Sequence, residues 1–216
     1  MTDLGDDRRA RLERARLYLV CDARPADFLR AALAGGVDVL QLRDKAVDDA
    51  AILRAAETFR ACCEDAGALF VVNDRPDLAV AADADGVHVG QADAAAEDAR
   101  AVVGDDRLVG RSTHSEPQLD DAYGVDYVAV GPVHATPTKP GRPAIGLEPI
   151  RYAATHARVP WFAIGGIDPQ TIGRVIEAGA RRVVMVRAIA DAPDPEAAAR
   201  ALRQALDRQE APVGPA

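Results

Sequence analysis

The chain is poor in aromatic residues and in cysteine, has no long apolar run, and carries no excess of positive charge. Four Tyr, four Phe and one Trp in 216 residues mean that a core here is packed mainly from small and branched aliphatic side chains. The three cysteines form neither a disulfide framework nor a zinc spacing: Cys62 and Cys63 are adjacent and Cys21 is remote. They read as buried apolar filler. No apolar run approaches the roughly 18 residues of a membrane span, and the opening stretch MTDLGDDRRARLERAR has no apolar signal core. A cytoplasmic protein without a membrane partner is expected. The net charge of −8 argues against a nucleic-acid partner held through its phosphates, although a local basic pocket for a small anion is compatible with it. The sequence neither requires nor forbids a homo-oligomer.

What the chain has is a repeat of about 25 residues: a short aliphatic run, a polar loop, then an Ala-rich segment with helical spacing. The runs are Leu17–Cys21, Val39–Leu42, Ala68–Val72, Gly86–Val89, Leu108–Gly110, Tyr127–Val130, Trp161–Ile164 and Val183–Val186. Each is continuously apolar rather than alternating, as parallel strands buried on both faces are. Helices are predicted over 26–34, 48–66, 76–82, 94–103, 116–122, 147–156, 169–178 and 196–208, with Asp168 as N-cap before Pro169. Eight strand–helix units predict an α/β fold, a single (β/α)8 TIM barrel. The rival, an open doubly wound sheet, normally carries a glycine-rich first turn, and here that turn reads VCDARPAD. Residues 1–16 are expected to be a helical N-terminal extension, 17–209 the barrel and 210–216 a flexible tail.

Barrel sites lie at the C-terminal ends of the strands, so the residues after each run are the candidates. The second run leads into QLRDK, where Gln41, Arg43 and Lys45 alternate in an extended segment and face one way. These cations on an acidic protein point to an anionic ligand. The blander reading is a solvated pair balanced by Asp44 and Asp48. Asp74 and Asp93 follow consecutive strands about 4.8 Å apart and are placed to share a hard cation such as Mg²⁺, against the alternative of two solvated carboxylates. Arg43, Lys45, Asn73 and Lys139 favour a diphosphate beside that metal. Gly165 and Gly166, in AIGGI, offer backbone N–H groups to a phosphate; a tight turn is the alternative. The proline-braced loop GPVHATPTKPG carries Thr136, Thr138 and Lys139 over the mouth. The four histidines have no metal-ligand spacing. His88 reads as structural and as facing the barrel wall, and Ser112, lacking a base partner, as a hydrogen-bonding group rather than a nucleophile.

The ordered set QLRDK, VVNDRPDLA, DGVHVGQAD, GRSTHS, VGPVHATPTKPG, IGLEPI and AIGGI resembles the thiamine-phosphate synthase family over roughly residues 17–190. The resemblance implies a Mg²⁺-dependent barrel transferase that condenses a hydroxymethylpyrimidine diphosphate with a thiazole phosphate. Residue by residue it implies that Gln41, Arg43, Lys45, Asn73, Ser112 and Lys139 bind the pyrimidine diphosphate, that Asp74 and Asp93 hold the metal, and that Leu42, Asp44, Pro137, Val186 and Arg187 also bind substrate. Thr136, Thr138 and Gly166 are then expected at the thiazole phosphate. Arg43, Lys45, Ser112 and Lys139 take the catalytic roles. Many relatives have Val-Ser-Ala-Ile where this chain has Val186-Arg187-Ala188-Ile189, which leaves that phosphate to backbone amides or to Arg187. A related thiazole tautomerase and a non-catalytic phosphate-binding barrel are the alternatives.

Overall fold

The structure is a computed structural model and describes residues 4–136 and 143–208. The first half runs α1 (Leu4–Arg14), β1 (Leu17–Cys21), α2 (Ala26–Ala34), β2 (Val39–Leu42), α3 (Asp49–Ala66), β3 (Leu69–Asn73), α4 (Pro76–Ala81), β4 (Gly86–Val89) and α5 (Ala96–Val103). The second half continues β5 (Leu108–Thr113), α6 (Glu116–Asp120), β6 (Tyr127–Val130), α7 (Glu148–His156), β7 (Trp161–Ile164), α8 (Ile172–Glu177), β8 (Val183–Met185), α9 (Arg187–Ala190) and α10 (Pro195–Asp207). Neighbouring strands pair in parallel in sequence order, and β8 closes on β1 with Leu17 opposite Val183. The predicted barrel is therefore the observed one.

Alternation along each strand divides the apolar residues into two cores. Leu19, Leu40, Phe70, Val87, Val109 and Val128 point outward and pack under the helices, where Leu29, Phe59, Ile150, Val175 and Leu202 meet them. Tyr18, Val20, Val39, Leu69, Val71, Leu108, Tyr127, Phe162 and Val184 fill the interior. Helix α1 belongs to this inner core. Its Leu12, only 2% exposed, joins the inner cluster together with Ala15. Arginines on the same helix reach Asp85 and Asp126 at 2.8 Å each. Those aspartates also hold strand backbone: Asp85 accepts from Phe70 N at 2.9 Å and Asp126 from Val109 N at 2.8 Å. The extension thus closes the N-terminal end of the barrel.

Helix starts follow the capping chemistry in the sequence. Asp48 accepts from Ala51 N at 2.8 Å at the head of α3, and Asp194 accepts from Ala197 N at 2.9 Å before α10. Three elements depart from expectation by more than two residues. Strand β5 continues to Thr113, because Arg111, Ser112 and Thr113 pair with Val128, Ala129 and Val130 even though their polarity suggests a loop. Asp168 caps a turn instead of the helix, accepting from Gln170 N and Thr171 N at 2.9 Å, so α8 begins only at Ile172. The short α9 follows β8 at once, where the sequence offers no periodicity to announce it.

Candidate active site

The ends of β2, β3 and β4 build a polar cavity of about 450 Å³, lined by Arg43, Asp44, Lys45, Asn73, Asp74 and Asp93. Lys45 Nζ lies 2.8 Å from Asp74 Oδ2. The two carboxylates expected to balance it are used locally: Asp44 accepts from Ala46 N at 3.1 Å, and Asp48 caps α3. Asp74 sits at φ 60°, a left-handed conformation uncommon for a residue with a side chain, while its N–H bonds to His88 O at 2.8 Å. Burial by itself raises the Asp74 carboxyl. The hydrogen bond and charge of Lys45, with the Asn73 hydrogen bond, overcome that and hold it below the usual carboxylate range. Asp93 Oδ2 accepts from Gly90 N at 3.1 Å, and a Cβ on Gly90 would stand 2.5 Å from that oxygen. Asp74 and Asp93 line this one cavity. Among the described residues no cluster of three His, Cys, Asp or Glu side chains exists. Two hard oxygen donors suit Mg²⁺, which keeps waters and accepts phosphate oxygens, better than zinc.

A second cavity of about 320 Å³ lies under the ends of β5 to β8, with Ser112, Thr136, Gly165, Gly166, Val186 and Arg187 in its wall. Gly165 and Gly166 adopt φ 103° and 61°, and a Cβ on Gly165 would meet Pro132 Cα at 2.4 Å. This close approach lets the loop after β6 continue along β7: Val133 N bonds to Ile164 O at 2.9 Å and His134 N to Gly165 O at 3.0 Å. His114 also lines this cavity, its Nδ1 on Gly131 O at 2.5 Å. Arg187, the first residue of α9, stands at the same wall as Gly166.

A small space of about 60 Å³ bridges the two, bounded by Gln41, Arg43, Asn73, Ser112 and Val186 among others. Ser112 therefore faces both the floor and the second cavity. Here two sequence readings need correcting. His88 turns into the barrel interior, not toward its wall, and Ser112 does have an imidazole partner: His88 Nε2 lies 3.0 Å from Ser112 Oγ. The register explains the miss. Asn73 is opposite His88, and His88 opposite Gly110, so Ser112 sits one inward step further along β5. Inward positions recur every second residue, Gly86 and His88 on one strand and Gly110 and Ser112 on the next, and that periodicity is the signal that finds the pair.

Of the remaining expected site residues, Leu42 is buried in the outer core and reaches the first cavity only at its wall. Pro137, Thr138 and Lys139 lie outside the described residues. Arg75, at the rim of the first cavity, is engaged outward by Asp49, at 2.6 and 2.8 Å, and by Asp77.

A sequence model of the thiamine monophosphate synthase family matches residues 17–189. The chain belongs to that family. A thiamine-phosphate synthase of Thermobifida fusca is 54% identical over 207 residues, covering 92% of this chain and 95% of the relative. One from Saccharopolyspora erythraea is also 54% identical, over 213 residues, covering 92% and 96%. Among solved structures, the thiamine phosphate pyrophosphorylase of Pyrococcus furiosus superposes with a TM-score of 0.83 at 30% identity, covering 93% of this chain and 98% of that one. Orotidine 5'-phosphate decarboxylase of Pyrococcus horikoshii shares the barrel alone, with a TM-score of 0.63 at 17% identity. The thiamine monophosphate synthase match spans β1 to α9, so every strand end that lines the two cavities falls inside it.

Proposed function

We infer that this chain, as a thiamine-phosphate synthase, joins 4-amino-2-methyl-5-hydroxymethylpyrimidine diphosphate to 4-methyl-5-hydroxyethylthiazole phosphate. The products are thiamine monophosphate and pyrophosphate. The observation that carries the assignment of roles is the pairing of two unlike cavities across one floor. One is cationic and dicarboxylate, the other is walled by a glycine turn and Arg187, and Ser112 belongs to both the floor and the second cavity.

The chemistry asks little of a nucleophile or base. The bond between the pyrimidine methylene and the diphosphate oxygen breaks, and its electron pair leaves with pyrophosphate. The thiazole nitrogen then gives its lone pair to the methylene carbon. An electron-rich aminopyrimidine tolerates positive charge at that carbon, so the step is dissociative. Arg43 and Lys45 face the cavity where leaving-group charge collects and stabilise it there. Lys139, outside the described residues, is assigned to the same charge. Asp74 and Asp93 hold Mg²⁺, which when bound supplies further positive charge to the departing phosphates. Gly166, Thr136 and Arg187, with Thr138, fix the thiazole phosphate so that its ring meets the pyrimidine across the floor. Two reactants held face to face gain from orientation alone. A cytoplasmic location belongs to the same reading.

The test is a coupled assay of pyrophosphate release with each substrate and Mg²⁺ omitted in turn. Release that needs both substrates and the metal is expected, together with thiamine monophosphate in equal amount. Isomerisation of a thiazole carboxylate phosphate without pyrophosphate would refute the assignment in favour of a tautomerase. The double variant Asp74→Asn, Asp93→Asn is expected to lose Mg²⁺-dependent turnover.

A further inference from the structure

The interior of a (β/α)8 barrel is normally filled by branched aliphatics. Here its middle holds two tyrosines, a histidine and an amide. Gln41 Nε2 donates to the Tyr18 hydroxyl, the Tyr18 and Tyr127 hydroxyls are 3.0 Å apart, Tyr127 Oη is 3.2 Å from His88 Nδ1, and His88 Nε2 is 3.0 Å from Ser112 Oγ. Both tyrosines are at most 1% exposed, and Gln41, His88 and Ser112 are also buried. The backbone is built around this chain: a Cβ on Gly110 would stand 2.1 Å from Tyr127 Cζ, so only glycine there admits the ring. A polar chain in this place is costly unless every member is satisfied, and no part of the mechanism above uses Tyr18, Tyr127 or His88.

Proton counting gives the chain a direction. Burial lifts both tyrosine hydroxyls above their ordinary range, so each carries one proton to donate. Tyr18 accepts from Gln41 and has one acceptor, the Tyr127 oxygen, so its proton goes there. Tyr127, already an acceptor, donates to His88 Nδ1. His88 is then neutral with its proton on Nε2, and it donates to Ser112 Oγ. Ser112 has its own O–H left for the site, and Gln41, with one N–H committed to Tyr18, presents its carbonyl oxygen and its second N–H side by side.

We propose that the buried Gln41–Tyr18–Tyr127–His88–Ser112 chain fixes the polarity of the site floor, with Gln41 as acceptor and Ser112 as donor, and so selects a 4-aminopyrimidine over its 4-oxo counterpart. The amino compound offers an exocyclic N–H donor and ring-nitrogen acceptors, which match. The oxo compound carries its acceptor and donor in the opposite order, setting its carbonyl against the Gln41 oxygen and its ring N–H against the remaining Gln41 N–H. Reversing Gln41 to suit it would strand the Tyr18 proton and turn every bond down to Ser112, so discrimination is paid by the whole chain and not by one side chain. Tyr18, Tyr127 and His88 are positioning residues, acting on the ligand through Gln41 and Ser112. The choice of pyrimidine rests on the function proposed above; the direction of the chain does not.

Two measurements test this on the full-length protein. Nitrogen-15 NMR of the histidine-labelled protein, with His88 assigned by difference against single substitutions of His114, His134 and His156, should show Nε2 protonated and Nδ1 bare. The opposite tautomer, or an imidazolium at neutral pH, overturns the proposal. Competition between the aminopyrimidine diphosphate and its 4-oxo analogue, read as the kcat/KM ratio, or as the ratio of affinities for the two analogues if turnover is absent, should fall at least tenfold in Tyr18→Phe and in Tyr127→Phe. Affinity for thiazole phosphate should be unchanged in both. A fall in thermal stability with the ratio intact would mean that the chain is only structural, and the proposal fails. A wild-type protein without pyrophosphate release defeats the functional assignment instead, and the tautomer and affinity ratio still decide the inference.

Discussion

At the scale of single residues, the metal-side cavity depends on two backbone details that no charge count would reveal. Asp74 carries its carboxylate on a left-handed residue at φ 60°. A side chain in that conformation costs about 1–2 kcal/mol relative to glycine. Asp74→Gly should therefore be more stable to urea than Asp74→Ala by about 1 kcal/mol, although both lose the carboxylate; equal midpoints would show that the strain is absent. The second detail is Gly90, whose N–H and bare Cα let Asp93 Oδ2 fold back to 3.1 Å from the amide. Gly90→Ala places a methyl 2.5 Å from that oxygen and turns the carboxylate away. Loss of such outer support typically costs about 10–100-fold in metal affinity. A rise of about tenfold in the Mg²⁺ concentration for half-maximal activity, with an unchanged melting temperature, is the expected result. An unaltered Mg²⁺ dependence would detach Gly90 from the site.

At the scale of elements, the turn between β7 and α8 shows how polar termini set the second cavity. Asp168 accepts from Gln170 N, Thr171 N and Thr171 Oγ1, each at 2.9 Å. Burial opposes ionisation of its carboxyl, but the Thr171 and Gln170 bonds and the nearby His134 outweigh it and hold the group below its ordinary 3.8. A depressed carboxyl stabilises the fold above its ordinary value and loses that contribution as pH falls through the folded value. Asp168→Ala should cost about 1 kcal/mol at pH 7, or about 2–4 °C in melting temperature for a chain of this size. The gap from wild type should close as pH drops below about 4; a gap constant down to pH 2 would exclude ionisation as its source. The same segment marks the limit of sequence reading. Continuous apolar runs place all eight strands, because burial on both faces leaves a one-dimensional signature. Arg111, Ser112 and Thr113 leave none, since a strand end at a barrel mouth is polar like a loop. The pairing of His88 with Ser112 is legible only once the strands are aligned, because it depends on register between segments 24 residues apart. The charged residues of QLRDK and NDR line the rim cavity; which carboxylate each cation meets, Asp74 and not Asp44 for Lys45, is decided by the turn after β3.

At the scale of the whole molecule, the two ends of the barrel are built for different purposes. The C-terminal end carries the left-handed aspartate and the glycine turn, each of which raises the energy of the folded state or limits packing. The N-terminal end carries the compensating stability: α1 closes the interior, and its Arg8 and Arg9 bind aspartates that already hold strand amides. The charged N-terminal helix is thus a packing element of the inner core. Leu12 tests the division, because it is buried at the closed end and lines neither cavity. Leu12→Ala removes a buried side chain from the inner cluster that also holds Leu69 and Leu108, and such truncations cost about 2–5 kcal/mol. The urea midpoint should fall accordingly, while KM for both substrates and the Mg²⁺ requirement stay as in the wild type under conditions where the variant is folded. If Leu12→Ala instead raises either KM with little loss of stability, the two ends are coupled through the interior, and the Tyr18–Tyr127 layer between them is the element that carries the coupling.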